Sequence, residues 1–469
     1  MTPTRSFRSL IPLLFLLAPL NAAHAQTEHW VATWGAAQTP ARIPAPAAAR
    51  ATQPVAAPAP APPPAPPATT SAIPIAPQVA APQPGLVQRR YNLPPGIAGL
   101  SNRTIRMTLR TSIGGQTVRI RLYNAFGAPT VTLGAAHIAL HAKDSAIAPG
   151  SDRSLTFSGK PSATMYAGQV LVSDPVKLNV APLSELAVSL YFSGDTGAPT
   201  NHGLGLQPTY ASGSGDFTSA PEITDPVSVS EAYYWLEGVD VLAPADAAAL
   251  VTFGDSITDG DQSTPGAYAM WPAILAQRLH ANPATAHIAV VNEGISGNRI
   301  LGDNVSGLVR LAHQALDVPG VRWITVLEGI NDINLAMRQA ATPAATPSTT
   351  PAAAPFSADD LIAAYRQIIE AAHSRGVKVI GCTMTPYGGS SGYKDAGEAI
   401  REAANDWILH SGQFDAVVDF DAATRDSSDP KRFSPSAESP DLLHPGDAGY
   451  KKMANAFKLS LFAPTPAKH

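Results

Sequence analysis

Apolar and polar residues alternate most clearly in the first part of the chain, over 86–243. Ile105, Met107 and Leu109 alternate with polar residues, and after two glycines the same alternation returns over 118–122. A period of two predicts strands with one buried apolar face and one solvent-exposed polar, or wet, face. These two runs therefore predict a β-hairpin. Similar short runs continue along the chain, and their spacing predicts an N-terminal antiparallel β-sandwich domain over 86–243.

Over 248–462 the pattern changes to short apolar runs separated by amphipathic helices. Helical periodicity begins at Trp271, begins again at Ser357 with Asp360 as a capping partner, and returns after Pro445. This alternation predicts an α/β fold, with a parallel sheet covered by helices on both faces. Ligands bind such sheets beyond the carboxyl ends of the strands, where we expect the chemistry. The runs that predict the buried parallel strands are 250–253, 288–291, 323–327, 377–382 and 417–420.

Two segments rich in proline and alanine interrupt these patterns. Proline supplies 45 of the 469 residues, about twice its average usage. Residues 40–84 are almost entirely proline and alanine, a composition that predicts disorder. Residues 339–355 repeat this composition inside the α/β region, which predicts a disordered surface-loop insertion there.

Residues 1–25 have the pattern of an export signal. Arg5 and Arg8 precede an apolar run over 10–20, and Ala-His-Ala at 23–25 offers a cleavage site. The apolar run is too short to span a bilayer, and no later stretch reaches about 18 apolar residues. We therefore expect a cleaved signal peptide, a secreted or periplasmic protein and no membrane span in the mature chain.

Charge and composition narrow the range of partners. The formal net charge is -4 and 14% of the residues are charged. A nucleic-acid partner would require a basic patch, so none is expected. The predicted hairpin carries arginines on its wet face, an arrangement more typical of a solvated surface than of an acidic-glycan site. These arginines are Arg106, Arg110, Arg119 and Arg121.

Candidate metal and cofactor ligands are sparse. His137 and His141 lie four residues apart in strand-like sequence without a third ligand nearby, so no metal is expected. The glycine-rich stretch 294–302 follows neither dinucleotide nor P-loop spacing, and no cofactor is expected. The single cysteine, Cys382, excludes an intramolecular disulfide, and its apolar neighbours predict a buried side chain.

Four segments at or after predicted strand ends carry groups that ester hydrolysis requires. Gly254-Asp255-Ser256 places a hydroxyl at a strand-to-helix turn. The segments 292–299 and 328–332 supply glycines and a side-chain amide, and Asp441-Leu442-Leu443-His444 supplies a carboxylate and an imidazole. Each segment alone is a weak signal, because such residues are common in turns. Together they provide a nucleophile, a base, an orienting acid and oxyanion donors.

These four segments resemble, in order and spacing, the conserved blocks of the GDSL/SGNH hydrolase superfamily. The resemblance covers residues 250 to 460 and implies a flavodoxin-like three-layer sheet. It implies Ser256 as the nucleophile, His444 as the base and Asp441 as the residue that orients His444. It also implies an oxyanion hole formed by the N–H groups of Ser256 and Gly297 and by the Asn331 side-chain amide.

Three details of these blocks require interpretation. Gly297 is preferred to Gly294 as the oxyanion donor, because the tripeptide that ends in Gly297 matches the second block better. Ile257 replaces the commoner leucine of the first block. Glu328 stands where many members have a small or apolar residue, and it could contact a sugar hydroxyl or pair with Arg299; we favour the pairing.

A looser resemblance links the chain to a secreted, acetylxylan-esterase-like bacterial branch of the superfamily. It rests on Trp-Val-Ala-Thr-Trp at 30–34, on the β domain and on Trp271-Pro272. Together with the export signal and a β domain that could help to hold a glycan, it leads us to expect a secreted serine esterase. This enzyme would hydrolyse short-chain, above all acetyl, esters of a polysaccharide or oligosaccharide through an acyl-enzyme. Two alternatives remain: a general arylesterase or lipase acting on short-chain esters, and a catalytically inactive glycan-binding protein. The sequence indicates no oligomeric state.

Overall fold

The computed structural model describes residues 28–40, 99–127, 129–341 and 355–462. The predicted signal peptide 1–25, nearly all of the predicted disordered segment 40–84 and most of the predicted insertion 339–355 lie outside the described residues. Within the described chain, no helix is long and apolar enough to cross a membrane.

The strands are numbered in chain order. They are β1 (His29–Gly35), β2 (Thr39–Pro40), β3 (Arg103–Arg110), β4 (Gly115–Tyr123), β5 (Thr130–Lys143), β6 (Ala146–Ile147), β7 (Arg153–Ser154), β8 (Ala163–Tyr166), β9 (Val170–Val172), β10 (Val176–Val180), β11 (Glu185–Phe192), β12 (Thr200–His202), β13 (Thr209–Ser214), β14 (Ser228–Ser230), β15 (Tyr233–Tyr234), β16 (Leu236–Ala243), β17 (Ala248–Gly254), β18 (Ile288–Gly294), β19 (Val321–Leu327), β20 (Lys378–Cys382) and β21 (Ala416–Val418).

Within the described residues, the helices all follow β17. They are α1 (Ser256–Asp259), α2 (Trp271–Ala281), α3 (Gly307–Leu311), α4 (Ile330–Ala341), α5 (Ala358–His373), α6 (Asp395–His410), α7 (Phe420–Thr424) and α8 (Asp447–Ala456). A π-helical turn, Ala312–Leu316, continues α3, and a 3-10 turn, Leu459–Phe462, follows α8. The predicted capping pair at the start of α5 is present, since Asp360 Oδ2 accepts from Ser357 N at 2.8 Å.

The α/β part of the chain, 248–462, is built on a five-stranded sheet in the order β18-β17-β19-β20-β21. Every neighbouring pair is parallel, and the order is the flavodoxin-like one. Alternate strand residues face two separate buried clusters, one shared with α2 and α8 and the other with α4, α5 and α6. The prediction of a parallel sheet with helices on both faces is therefore confirmed.

The antiparallel part of the chain, the described residues from 28 to 243, contains two larger sheets and one small one. One sheet has the order β1-β16-β4-β10, with β9 also on β4. The other has the order β14-β13-β3-β11-β5-β6, with β7 and β8 also on β5. The small sheet has the order β15-β12-β2. Apolar residues of both larger sheets belong to a single buried cluster, which holds them together.

The predicted hairpin of β3 and β4 is wrong. β3 pairs with β11 and β13, whereas β4 pairs with β16, β10 and β9, so the two strands lie in different sheets. Other segments hold the residues between them: Ser112 N donates to Thr33 O and Thr111 N to Ser184 O, each at 2.9 Å. The connection therefore carries the chain from one sheet to the other instead of turning back.

The predicted wet face of arginines is also wrong. Arg106 is fully buried, and its guanidinium donates to Ser189 Oγ at 2.8 Å, to Ser145 O at 2.7 Å and to three carbonyls over 217–220. Arg121 is buried against Asp240 and Glu237. Loops and neighbouring strands cover these positions, so the arginines form no exposed stripe.

Strand β1 connects the two parts. It pairs with β16 in antiparallel register from His29↔Ala243 onward. Its residue Ala32 donates from N to Pro319 O of the α/β part at 2.9 Å. The strand lies outside the range predicted for the β domain, and the buried cluster that contains it runs through both parts of the chain.

Candidate functional site

The site is built at the carboxyl ends of β17, β18 and β19, which are neighbours in the sheet. Ser256 is the first residue of α1 and follows β17 after one residue, Asp255, the N-cap. The Asp255 carboxylate accepts from Ile257 N at 2.9 Å, which satisfies one free donor of the helix end. The serine is therefore held at a sharp strand-to-helix turn.

His444 lies between Ser256 and Asp441. Its Nε2 is 2.8 Å from Ser256 Oγ, and its Nδ1 is 2.6 Å from Asp441 Oδ2. An ionised carboxylate only accepts hydrogen bonds, so the proton of a neutral ring belongs on Nδ1. Nε2 is then free to accept the serine hydroxyl proton, which is the arrangement that general-base activation of a serine requires.

The turn before α8 fixes Asp441. Its Oδ1 accepts from His444 N, Leu443 N and Ser439 Oγ, each at 2.9 Å. Leu442 takes a left-handed φ of 57°, which closes the turn. Burial opposes the charge of Asp441, but hydrogen bonds from the His444 ring and from the backbone outweigh it and hold the pKa of this carboxyl well below its usual range. The carboxylate therefore stays ionised beside the imidazole.

The environment of His444 favours its protonated form. Burial alone would lower the pKa of the ring, but the bond to Asp441 and the nearby charge of Asp261 raise it above its ordinary value. A base that must be neutral to act therefore loses activity as the pH falls through this raised pKa.

The segment after β18 is anchored beside the serine. Ile295 N donates to Gly254 O at 3.0 Å. Gly297 is exposed and has a φ of 78°, a left-handed conformation that favours glycine. No hydrogen bond from the backbone N–H of Ser256 or Gly297 is found within the described chain. Both donors are therefore available to a bound group.

Asn331 contacts the same loop from the start of α4. Its Nδ2 donates to Asn298 O, the carbonyl of the residue after Gly297, at 2.8 Å. A side-chain amide nitrogen carries two hydrogens, so one donor remains. Asp332 holds the loop further along, accepting from Ile300 N at 2.9 Å and from Leu301 N at 3.0 Å.

Arg310, a buried residue of α3, was not identified from the sequence. Its guanidinium donates to Gly254 O at 2.8 Å and to Glu293 O at 2.7 Å, and its Nε donates to Asn298 Oδ1 at 2.8 Å. It thus links the ends of β17 and β18 to the loop that carries Gly297. The only sequence signal is one charged residue in the apolar run 307–312.

The predicted pairing of Glu328 with Arg299 is wrong. Glu328 Oε1 lies 3.2 Å from Arg310 Nη2, whereas Arg299 pairs with Asp303 at 2.9 Å. Burial and the nearby charge of Asp255 raise the pKa of Glu328 well above its usual range. Glu328 is buried behind the site and is not a surface group that could contact a sugar.

A cleft lies beside Gly297. Both parts of the chain line it, through Thr39, Asn201 and His202 of the antiparallel part and Gly297, Asn298 and Arg299 of the α/β part. The antiparallel part therefore forms one wall of the space next to the candidate oxyanion donors.

The remaining candidate ligands are occupied by other contacts. Within the described chain, no group of three His, Cys, Asp or Glu side chains could hold a metal ion. His137 Nδ1 lies 2.9 Å from Asp152, and His141 Nδ1 lies 2.7 Å from Glu185. Cys382 is buried, as predicted, and burial raises the pKa of its thiol.

Comparison with known families and proteins gives one family match. Residues 252–452 match the GDSL-like lipase/acylhydrolase family. No curated protein matches the chain.

Solved structures are similar to this chain over less than half of its length. A GDSL-like lipase from Bacteroides thetaiotaomicron is 18% identical, covers 44% of this chain and 84% of its own, and gives a TM-score of 0.30. A variant of an acetyl xylan esterase from Geobacillus stearothermophilus is 21% identical, covers 45% of this chain and 94% of its own, and gives a TM-score of 0.34. These TM-scores are too low to carry the substrate of either protein over to this chain.

Proposed function

Because the chain belongs, through residues 252–452, to the GDSL-like lipase/acylhydrolase family and is a carboxylic ester hydrolase, we propose that Ser256 is its catalytic nucleophile. The observation that carries the proposal is the unbroken contact chain from Ser256 Oγ to His444 Nε2 at 2.8 Å and from His444 Nδ1 to Asp441 Oδ2 at 2.6 Å. Ser256 is the nucleophile, His444 the general base and acid, and Asp441 the group that orients the ring and stabilises its cation.

The reaction proceeds by two acyl transfers. Ser256 Oγ attacks the ester carbonyl carbon while its proton moves to His444 Nε2. The tetrahedral intermediate collapses, the C–O bond to the alcohol breaks, and His444 returns the proton to the leaving oxygen. Water then attacks the acyl-enzyme while His444 Nε2 takes its proton. The bond from the acyl carbon to Ser256 Oγ breaks, His444 returns the proton to Oγ, and the carboxylic acid and free Ser256 are released.

The charge that develops on the carbonyl oxygen requires fixed donors. We assign them to the backbone N–H groups of Ser256 and Gly297 and to the side-chain amide of Asn331. In support, the two N–H groups lack acceptors in the described chain. Asn331 is held against the loop by its bond to Asn298 O. Such preorganised donors cost no reorganisation as the charge forms.

The substrate proposed is a short-chain, above all acetyl, ester of a polysaccharide or oligosaccharide. The cleft beside Gly297 supports this, because the polar side chains of Thr39, Arg299 and Asp303, none of them buried, line it and can meet an alcohol rich in hydroxyls. The export pattern of residues 1–25 supports a secreted or periplasmic enzyme, which would meet such a polymer.

The first test replaces the proposed nucleophile. Ser256→Ala should abolish hydrolysis of p-nitrophenyl acetate, whereas Ser411→Ala, at the end of α6, should leave it unchanged. Full turnover by Ser256→Ala would contradict the assignment. A wild-type protein that binds xylan but hydrolyses no ester would favour the glycan-binding alternative.

The second test addresses the substrate. The wild-type rates on acetyl, butyryl and octanoyl aryl esters are compared, and acetate release from acetylated xylan is measured. We expect the acetyl ester to be preferred and acetate to be released from the polymer. A preference for octanoyl esters without acetate release would favour a general arylesterase or lipase.

A further inference from the structure

His202, at the end of β12, extends from the antiparallel part toward the catalytic segments. It is buried, with Nε2 3.0 Å from Asp259 Oδ1 and Nδ1 2.8 Å from Ala37 O. A carbonyl and an ionised carboxylate both accept hydrogen bonds, so both ring nitrogens must carry hydrogen to satisfy these contacts. His202 is therefore placed as a cation.

Asp259 links His202 to the loop after β18 through its second carboxylate oxygen. It is the last residue of α1, three positions after Ser256. Its Oδ2 accepts from both Ser296 N and Ser296 Oγ, each at 2.8 Å. Ser296 is bonded directly to Gly297. A continuous path of hydrogen bonds and one peptide bond thus joins His202 to the proposed oxyanion donor.

We propose that His202 is a positioning residue that, through Asp259 and Ser296, holds the Gly297 N–H where the oxyanion forms. The inference rests on the proposed function. Glycine has more backbone freedom than any other residue, so the orientation of the Gly297 peptide must be fixed by its surroundings. The two bonds from Ser296 to one carboxylate supply this constraint, and bonds to an ionised group are about twice as strong as neutral ones.

The surroundings of His202 sustain its charge. Burial alone would lower the pKa of the ring, but the carboxylate of Asp259 and the bond to Ala37 O outweigh it and raise the pKa above its ordinary value. The ring of Tyr233 also faces the imidazole, with centroids 6.2 Å apart. Without the His202 cation, Asp259 would be a buried carboxylate with only the two donors of Ser296 as partners. Because such a charge is costly to bury, its hydrogen bonds to the loop would then be less well maintained.

A positioning role for His202 and simple packing between the two parts of the chain predict different effects of replacing this residue. Packing alone would change stability, whereas positioning changes transition-state binding in enzyme that remains folded. A short alkylboronic acid forms a tetrahedral adduct with a serine Oγ and places an oxygen in the oxyanion site. Its inhibition constant therefore reports the oxyanion donors without depending on the leaving group.

The experiment compares His202→Ala and His202→Gln with a matched control, His137→Ala, which breaks the His137–Asp152 contact within the antiparallel part. We expect His202→Ala to lower kcat on p-nitrophenyl acetate by between about tenfold and a hundredfold, with little change in KM. Butylboronic acid should bind more weakly by a similar factor. His202→Gln, which keeps one donor for Asp259, should fall between, and His137→Ala should match the wild type in both measurements.

A folded His202→Ala protein with unchanged kcat and boronate affinity would overturn the inference and leave the proposed function intact. Turnover by Ser256→Ala would instead overturn the proposed function. If His202→Ala does not fold, Ser296→Ala removes one of the two bonds to Asp259 without touching the interface. Weaker boronate binding by Ser296→Ala would support the positioning path, and unchanged binding would refute it.

Discussion

Replacing Asp441 by asparagine changes the atom that His444 Nδ1 contacts at 2.6 Å. The other carboxylate oxygen, Oδ1, accepts from three donors, His444 N, Leu443 N and Ser439 Oγ. These donors require the amide oxygen of the variant at the Oδ1 position, which places the amide NH2 group against Nδ1. Since NH2 donates, Nδ1 must accept, and the ring proton moves to Nε2, where it faces Ser256 Oγ.

In this tautomer His444 cannot take the serine proton. We therefore expect Asp441→Asn to lower kcat by about 10⁴-fold, the effect of the same substitution in other serine triads. This loss corresponds to about 5 kcal/mol of transition-state stabilisation. KM should change little, because Asp441 interacts with His444 and its own turn and is not proposed to contact the substrate.

The assay is steady-state hydrolysis of p-nitrophenyl acetate from pH 5 to 9. Wild-type activity should fall as the pH drops through the raised pKa of His444, since the base must be neutral. In the variant the stabilising carboxylate is gone, so any residual activity should begin to fall at a lower pH. Ser439→Ala is the control, because it removes one bond to Asp441 and leaves its charge, and it should stay within about tenfold of the wild type.

An Asp441→Asn enzyme that keeps more than about a tenth of the wild-type kcat would refute the tautomer argument. The same conclusion would follow if its acidic limb coincided with that of the wild type, because His444 would then not depend on Asp441 for its pKa.

Three further predictions test the surroundings of the site. Asn331→Ala should lower kcat by about 10²- to 10³-fold, because it removes a proposed oxyanion donor and a bond to the Gly297 loop; turnover close to wild type on p-nitrophenyl acetate would exclude that role. Arg310→Met should lower the free energy of unfolding in urea by about 3–5 kcal/mol, because it leaves Gly254 O, Glu293 O and Asn298 Oδ1 buried without the guanidinium that donates to them; an unchanged urea midpoint would contradict this account. Burial raises the pKa of Glu293 to about 8, so the folded state holds this proton more tightly than the unfolded state and loses stability as the pH rises from about 4.5 to 8. Glu293→Gln should therefore show a smaller fall in Tm by calorimetry between pH 5 and 8, and equal slopes would argue against the buried proton.

The α/β part was predictable because its strands are buried on both faces. Such strands read as continuous apolar runs, and β17, with every residue buried, is the clearest example. The antiparallel part was less predictable, because alternation shows which face of a strand is apolar and not which strand pairs with it. β3 and β4 alternate as a hairpin would, yet they lie in different sheets. The alternation placed Arg106 on the solvent-facing side of its strand, but backbone carbonyls more than about 100 residues away in the sequence accept its hydrogen bonds and cover it.

The candidate site likewise contains residues that could be predicted from the sequence and residues that could not. Ser256, Gly297 and Asn331 follow strands that are neighbours in a parallel sheet, so their shared edge was predictable from the order of the elements. Arg310 and His202 act through backbone carbonyls and carboxylates that are distant in the sequence. No spacing rule describes such contacts, since they depend on how the two parts of the chain pack.

The placement of β1 has a kinetic consequence. Its partner β16 is synthesised about 200 residues later, and its contact at Pro319 later still. Contacts of such large sequence separation form slowly, since the entropy of closing the loop is lost before the contacts stabilise it. Strand β1 must therefore wait until Pro319 is synthesised before all of these contacts can form, and we expect it to make the two parts unfold as one cooperative unit. A fragment that begins at residue 248 would leave the face of β18 that packs on β1 uncovered, and we expect it to aggregate instead of folding as an independent hydrolase.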